Sequence, residues 1–193
     1  MGTQKLCFED ILELTQQVGE GWAVAHARRL LVLVWEIGAG LEYDPIALKL
    51  AAYLHDWGAF PVYAQKGVGH ALRSRQVAEA DILPRMDLPQ PVKQVVLDAI
   101  ELHDYRDLRP TQSNEAWLLR EADMLEFLGM IGMAREFARG PKDVEACFRR
   151  ILERRATIQG RFRLPRACEI AQVRLDRMEQ CLHWLEEEGF GIL

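Results

Sequence analysis

At 193 residues and 22.1 kDa, the chain is long enough to form one domain with a buried core. A composition of 49% hydrophobic and 27% charged residues is typical of a globular protein. The net charge is −5, and the lack of clustered aromatic residues and of a known nucleic-acid motif disfavours DNA or RNA recognition. There is no secretory signal, no apolar run long enough to span a bilayer and no Cys-x-x-Cys pair. We therefore expect a cytoplasmic protein with reduced thiols and no membrane partner.

Glycine and proline residues divide the sequence into helical segments, with no alternating strand pattern. Asp44-Pro45 is typical of a helix start, because it joins a capping side chain to a first-turn proline. Gly140-Pro141 is typical of a helix end. The sequence predicts an all-α protein of about eight helices, over residues 8–19, 21–39, 45–55, 70–83, 90–104, 114–139, 141–158 and 166–188.

Three of the predicted helices carry one polar residue on an otherwise apolar stripe. His26 lies on a stripe with Leu30, Leu33 and Ile37 at helical spacing, and His103 and Asp123 lie on stripes of the same kind. A buried carboxylate is costly unless it is paired, and a divalent cation removes that cost. Each residue alone is more typical of a hydrogen-bonded core residue or a cap. Taken together, they indicate a metal site.

The dipeptide His55-Asp56 follows the apolar run Leu50–Leu54, at the end of a predicted helix. The order His26, His55-Asp56, Asp123 resembles the HD-domain superfamily of metal-dependent phosphohydrolases. The resemblance covers about residues 20–135. It implies a single HD domain over residues 1–193, built as a helical bundle, in which residues 141–193 form a carboxy-terminal helical addition.

The resemblance also implies a metal-ligand set. One ion would be held by His26, His55, Asp56 and Asp123. Family members with two ions use the aspartate of the dipeptide as a bridge and two further histidines, positions that His70 and His103 match in order. We therefore expect one or two divalent transition-metal ions. Ligation by histidine and carboxylate suits Mn, Fe, Co, Ni or Zn without choosing among them.

Metal activation of water predicts hydrolysis of a small phosphorylated substrate: a phosphomonoester, a phosphodiester or a nucleotide. In this reading Asp56 is the catalytic residue. Arg29, Arg73 and Arg106 each follow a candidate ligand by three residues, and Lys66 lies in the glycine-rich loop before His70. These four cations are candidate phosphate-binding residues. For each, the alternative is a long side chain that extends to solvent.

The cationic residues are also unevenly distributed along the chain. Residues 135–177 hold 12 Lys/Arg against 6 Asp/Glu, whereas the rest of the chain is strongly acidic. This segment is either a solvated helical surface or a region that attracts phosphate.

Two alternative functions remain compatible with the sequence. HD-domain di-iron oxygenases share the order His, His-Asp, His, His, Asp, and all six residues are present here. A non-enzymatic metal-bound sensor is less favoured, because a scaffold has no need of six ligands. The Gly-Tyr-Pro signature of cyclic-dinucleotide phosphodiesterases is missing after His55-Asp56. The chain is therefore most similar to small single-domain HD hydrolases.

Overall fold

A computed structural model describes residues 5–19, 21–140 and 143–192. Within these ranges the chain forms nine α-helices and no strand, which confirms the predicted all-α fold. None of these helices is long and apolar enough to cross a membrane. The helices are α1 (Phe8–Val18), α2 (Ala23–Ile37), α3 (Pro45–Leu54), α4 (His70–Val77), α5 (Gln90–Leu102), α6 (Asn114–Glu126), α7 (Gly129–Arg139), α8 (Val144–Ile158) and α9 (Pro165–Glu188).

Internal contacts divide the chain into two compact units, Met1–Arg120 and Glu121–Leu193, and the boundary falls within α6. In the first unit, α3 packs against α5 and α2, and α5 packs against α4. Its most deeply buried large side chains include five aliphatic residues and one tryptophan: Ile11, Leu30, Leu48, Leu54, Trp57 and Ile100. That the whole chain is one domain stays a prediction.

The start of α3 is the one that the sequence predicts. The Asp44 carboxylate accepts hydrogen bonds from the backbone N–H groups of Ile46 and Ala47 at 2.8 and 3.0 Å. Pro45 occupies the first helical position, where no intrahelical N–H is needed. This cap fixes where α3 begins, and the helix ends at Leu54, directly before His55-Asp56.

The single long helix predicted over residues 114–139 is wrong. The last turn of α6 tightens, because the N–H groups of Phe127 and Leu128 bond carbonyls three residues earlier. Gly129 then adopts a φ of +69°, which a residue with a side chain rarely adopts, and α7 begins there as a separate helix. Met130, the second residue of α7, is 53% exposed.

The helix predicted over residues 70–83 is also shorter in the structure. The α-helical geometry of α4 ends at Val77 and continues as a π-helical turn over Ala78–Ile82 and a 3₁₀ turn over Leu83–Arg85. Pro84 lies in that 3₁₀ turn, where its missing N–H and fixed φ are tolerated. The chain therefore changes from α-helical to π-helical and then to 3₁₀ geometry by the predicted helix end at residue 83.

The second unit is built by α7, which packs against α8 and α9. The fully buried Glu121 carboxylate accepts hydrogen bonds from the backbone N–H groups of Arg163 and Leu164, at the start of α9. Glu136, also buried, binds Arg154 at 2.7 Å and Arg150 at 3.4 Å. At these positions the basic segment therefore contributes to ion pairs within the unit.

Candidate metal centre

Four histidines of the first unit lie at helix ends or on a buried helix face. His26 is in α2, His55 follows the last residue of α3, His70 begins α4 and His103 follows α5. His26, His55 and His103 are at most 2% exposed, whereas the side chain of His70 is 26% exposed. Three of the imidazoles are thus fixed within the core, and the fourth borders solvent.

The Asp56 carboxylate lies between these imidazoles. Its Oδ2 is 3.5 Å from His55 Nε2 and 3.8 Å from His26 Nε2. Its Oδ1 is 3.8 Å from His70 Nε2. The two oxygens of one carboxylate therefore face different histidines, the geometry expected of a carboxylate shared by two ions. Atoms of His55, Asp56 and His103 also lie close enough together to hold one metal ion.

The tautomers of two imidazoles indicate the kind of ligand that this cluster suits. His55 Nδ1 lies 2.9 Å from the Ala52 carbonyl oxygen, and His103 Nδ1 lies 2.6 Å from that of Ile100. A carbonyl only accepts, so each Nδ1 donates its proton, and in the neutral form of the ring the lone pair of Nε2 then faces the cluster. This pattern of an outer hydrogen bond and an inner lone pair is typical of metal-ligating histidines.

The Nε2 atoms come close in pairs. His26 and His55 are 3.3 Å apart at Nε2, and His70 and His103 are 3.1 Å apart. Together with the Asp56 carboxylate, these nitrogen atoms make a mixed donor set that fits a divalent transition metal.

The residues that follow Asp56 hold its backbone in place, as α3 does before His55. Trp57 is 1% exposed, donates from Nε1 to Thr15 Oγ1 at 3.1 Å and stacks on Tyr63 with ring centroids 5.4 Å apart. A 3₁₀ turn over Trp57–Ala59 then brings the backbone against α4. The buried indole thus anchors the chain one residue after the carboxylate.

Gly58 permits the closest approach in this region. Its N–H donates to Ser74 Oγ at 2.8 Å. A Cβ at this position would lie 2.3 Å from the His70 carbonyl oxygen and 2.5 Å from the Ser74 nitrogen. Only glycine therefore allows the turn after Asp56 to contact the start of α4, where His70 lies.

The structure gives the predicted cations different environments. Arg73 donates from Nε to the Tyr63 carbonyl at 2.7 Å, and Arg106 pairs with Asp104. Lys66 is exposed in the loop before α4, and Arg29 is half-buried in α2. The sequence did not predict these contacts of Arg73 and Arg106 within the protein.

Asp123 is 7% exposed and lies in α6, as its stripe predicted. It falls in the second unit, after the boundary at Arg120. Its place among the ligands stays a prediction from the sequence.

The sequence reading missed Asp104, although it forms a second His-Asp dipeptide with His103. Its Oδ2 lies 3.6 Å from His70 Nδ1, and its side chain is 15% exposed. Burial opposes ionisation of this carboxyl, but hydrogen bonds from the Arg106 side chain and backbone outweigh it and lower the pKa of Asp104. The repeated dipeptide was the signal that could have found this residue.

The sequence model of the HD domain matches residues 23–128. A search of curated proteins gave no match. A predicted HD-superfamily hydrolase from an uncultured Thermotogales bacterium is 23% identical over 94% of this chain and 92% of its own, with a TM-score of 0.66.

Two further crystal structures share the fold. Bacillus subtilis YpgQ in complex with ADP is 19% identical over 93% of this chain and 96% of its own, with a TM-score of 0.68. An HD-superfamily hydrolase from Bacillus thuringiensis is 21% identical over 93% and 95%, with a TM-score of 0.64. At these identities the structural likeness concerns the fold, and it extends over nearly the whole length of each protein.

Proposed function

The chain belongs to the HD-domain family, and on that premise we propose that it is a metal-dependent phosphohydrolase. The observation that carries the proposal is the Asp56 carboxylate, whose two oxygens face His26 and His55 on one side and His70 on the other. An acid so placed in a site bordering solvent suits metal-assisted hydrolysis.

The proposed ligands follow from the sequence and the geometry together. His26, His55 and Asp56 would hold the first ion, with Asp123 as the fourth ligand predicted from the sequence. His70 and His103 would hold the second, and Asp56 would bridge. When bound, such ions polarise a phosphoryl oxygen and lower the pKa of water. The protein's own contribution is to fix three buried imidazoles and one carboxylate before substrate arrives.

The proposed substrate is small and phosphorylated, and a nucleotide is the first class to test. YpgQ, which shares the fold, was crystallised with ADP, and this supports that class. Exposed Lys66 and half-buried Arg29 are two of the proposed phosphate contacts. Arg73 and Arg106 would contribute charge near His70 in addition to their protein contacts.

A substrate panel under controlled oxygen tests the reaction type. We expect the Mn- or Co-loaded protein to cleave phosphate esters or nucleotides without oxygen, because hydrolysis needs a Lewis acid and water only. Released phosphate is measured with Mn, Co, Ni, Mg and Fe(II), in air and anaerobically. Turnover confined to the iron form and dependent on O₂ would favour the oxygenase alternative. Bound metal without turnover across the panel would favour the sensor.

Elemental analysis tests the number of ions. We expect the double substitution of His70→Ala and His103→Ala to lower the metal content from about two ions to about one per chain, since each ion needs several ligands. The matched control is His183→Ala, an exposed histidine on α9 that lies 3.4 Å from Glu187. Equal metal content in the wild type and the double variant would remove both histidines from the ligand set.

A further inference from the structure

The imidazoles of the cluster are oriented in two different ways. His55 and His103 each follow the end of a helix, where the last carbonyl groups have no intrahelical partner. Their Nδ1 atoms use those carbonyls, of Ala52 and Ile100, three residues earlier in the chain. The backbone of each helix therefore fixes its own histidine.

His70 cannot be oriented in this way, because it is the first residue of α4. A helix start presents N–H groups, not carbonyls, to a side chain that needs an acceptor for Nδ1–H. Instead, His70 Nδ1 faces the Asp104 carboxylate, with Oδ2 at 3.6 Å. His70 is also the most exposed of the four histidines in the cluster, with 26% of its side chain accessible.

Asp104 is itself held rigidly. Arg106 donates to it from the backbone nitrogen at 2.9 Å and from Nε at 2.9 and 3.1 Å, to both oxygens. Arg106 Nη2 adds a contact at 2.5 Å to Oδ2. A tight Asp-x-Arg turn thus fixes the carboxylate beside His70 by a two-pronged ion pair, a geometry that adds directional specificity.

We propose that Asp104, fixed by Arg106, is the positioning residue for His70 and sets the affinity of the ion that His70 would hold. The proposal rests on the metal-dependent function proposed above. It replaces the phosphate-binding role predicted for Arg106 by a role in orienting Asp104. Carboxylate–histidine–metal arrangements typically contribute 10–100-fold in metal affinity.

The position of the imidazole proton favours Asp104 over Arg106 as the partner of His70. Arg106 Nη2 lies 3.5 Å from the same Nδ1 atom. A neutral imidazole that ligates through Nε2 must carry its proton on Nδ1, where only an acceptor can receive it. Asp104 is an acceptor and the guanidinium is not, so of these two neighbours the carboxylate is the one that suits ligation by His70.

The chain contains a matched control in the next turn. Asp107 and Arg109 repeat the Asp-x-Arg geometry, with the backbone contact at 2.9 Å, Nε contacts at 3.1 and 2.9 Å and an Nη2 contact at 2.5 Å. This second turn joins Arg109 to Glu101 at 2.6 Å. The two turns have equivalent internal hydrogen bonds, but it is Asp104 whose carboxylate lies 3.6 Å from His70 Nδ1.

The experiment compares Asp104→Ala and Asp104→Asn with Asp107→Ala by calorimetric titration of Mn²⁺ into metal-free protein. We expect the wild type to bind two ions and both Asp104 variants to bind the weaker ion about 10–100-fold less tightly. Asp107→Ala should match the wild type. The absorption bands of the Co²⁺-loaded protein should change in the Asp104 variants alone, and circular dichroism confirms that each variant is folded.

The outcomes separate this proposal from the one it rests on. Two ions bound with equal affinity by wild type, Asp104→Ala and Asp107→Ala would overturn the role of Asp104 and leave the metal-dependent function standing. A similar loss in the Asp104 and Asp107 variants would assign the effect to the loop as a whole and also overturn it. A wild-type protein that binds no ion would overturn both.

Discussion

The inner and outer halves of the histidine cluster are built by different means. His26 and His55 are at most 2% exposed and are held by helices packed in the core of the first unit. The outer half, His70 with Asp104 and Arg106, borders solvent and depends on side-chain ion pairs in the loop after α5. Helix packing makes the inner half rigid, whereas the outer half can be altered by changes that leave the core intact.

The largest effect is expected at the residue where the two halves meet. Asp56→Ala should abolish turnover and lower the affinity for both ions by more than about 100-fold, beyond the usual effect of losing an outer partner of a ligand. The reason is that its two oxygens face histidines of both halves. Metal content by elemental analysis and phosphate release measure the two effects.

Asp87→Ala is the matched control for that change. Asp87 belongs to the same unit, but its side chain is 92% exposed and its contact is with Lys5. A folded Asp56→Ala protein with full metal content and normal turnover would show that the carboxylate is not a ligand. The inner and outer halves would then be unrelated features.

A smaller and more selective effect is expected from Gly58→Ala. The added methyl group would overlap the His70 carbonyl and the Ser74 nitrogen, both of them backbone atoms that cannot move alone. We expect α4 to shift and the protein to lose about 1–3 kcal/mol of stability, as in other overpacked sites. Because α4 carries His70, the outer ion should weaken while the ion bound by the inner half is retained.

Gly69→Ala provides the control for this prediction, measured by the same urea unfolding and Mn²⁺ titration. Gly69 has a φ of −62°, and a Cβ there would meet no atom within 4 Å. Its replacement should change neither stability nor metal binding appreciably. Loss of both ions in Gly58→Ala would show that the two halves are not independent.

The inner half could largely be predicted from the sequence. Helical periodicity placed His26 on a stripe with Leu30, Leu33 and Ile37, and all four are at most 5% exposed. The Asp44-Pro45 pair likewise predicted where α3 begins. Local patterns of this kind report directly which face of a helix is buried.

The outer half could not be predicted in the same way. Asp104 approaches His70 across 34 residues of sequence, so helical spacing carries no information about the contact. The requirement for glycine at position 58 arises from the approach of α4 and not from a left-handed backbone. The end of α6 could have been predicted, because Gly129 is a sequence signal for it. The apolar pattern, which continues past Gly129, led instead to the prediction of one long helix.

The smallest expected effect distinguishes the two Asp-x-Arg turns by pH. The hydrogen bond from the Arg109 side chain, opposed by burial, lowers the pKa of Asp107 below its ordinary value of 3.8. Because the folded pKa is the lower one, this interaction stabilises the protein above pH 3.8 and is lost as the pH falls through the folded value. Arg109 is 57% exposed, so the contribution should stay below about 1 kcal/mol.

Asp107→Asn removes that titration and leaves the other groups unchanged. Urea unfolding of the metal-free wild type and variant should therefore differ most near neutral pH, and the difference should shrink as the pH falls below about 4. A difference that is constant with pH would mean that the turn is stabilised by its hydrogen bonds alone. If Asp107 supports the loop and Asp104 orients His70, Asp107→Asn changes the pH dependence of stability without altering Mn²⁺ affinity. The two turns then have the same internal geometry but different roles, one in stability and the other in metal binding.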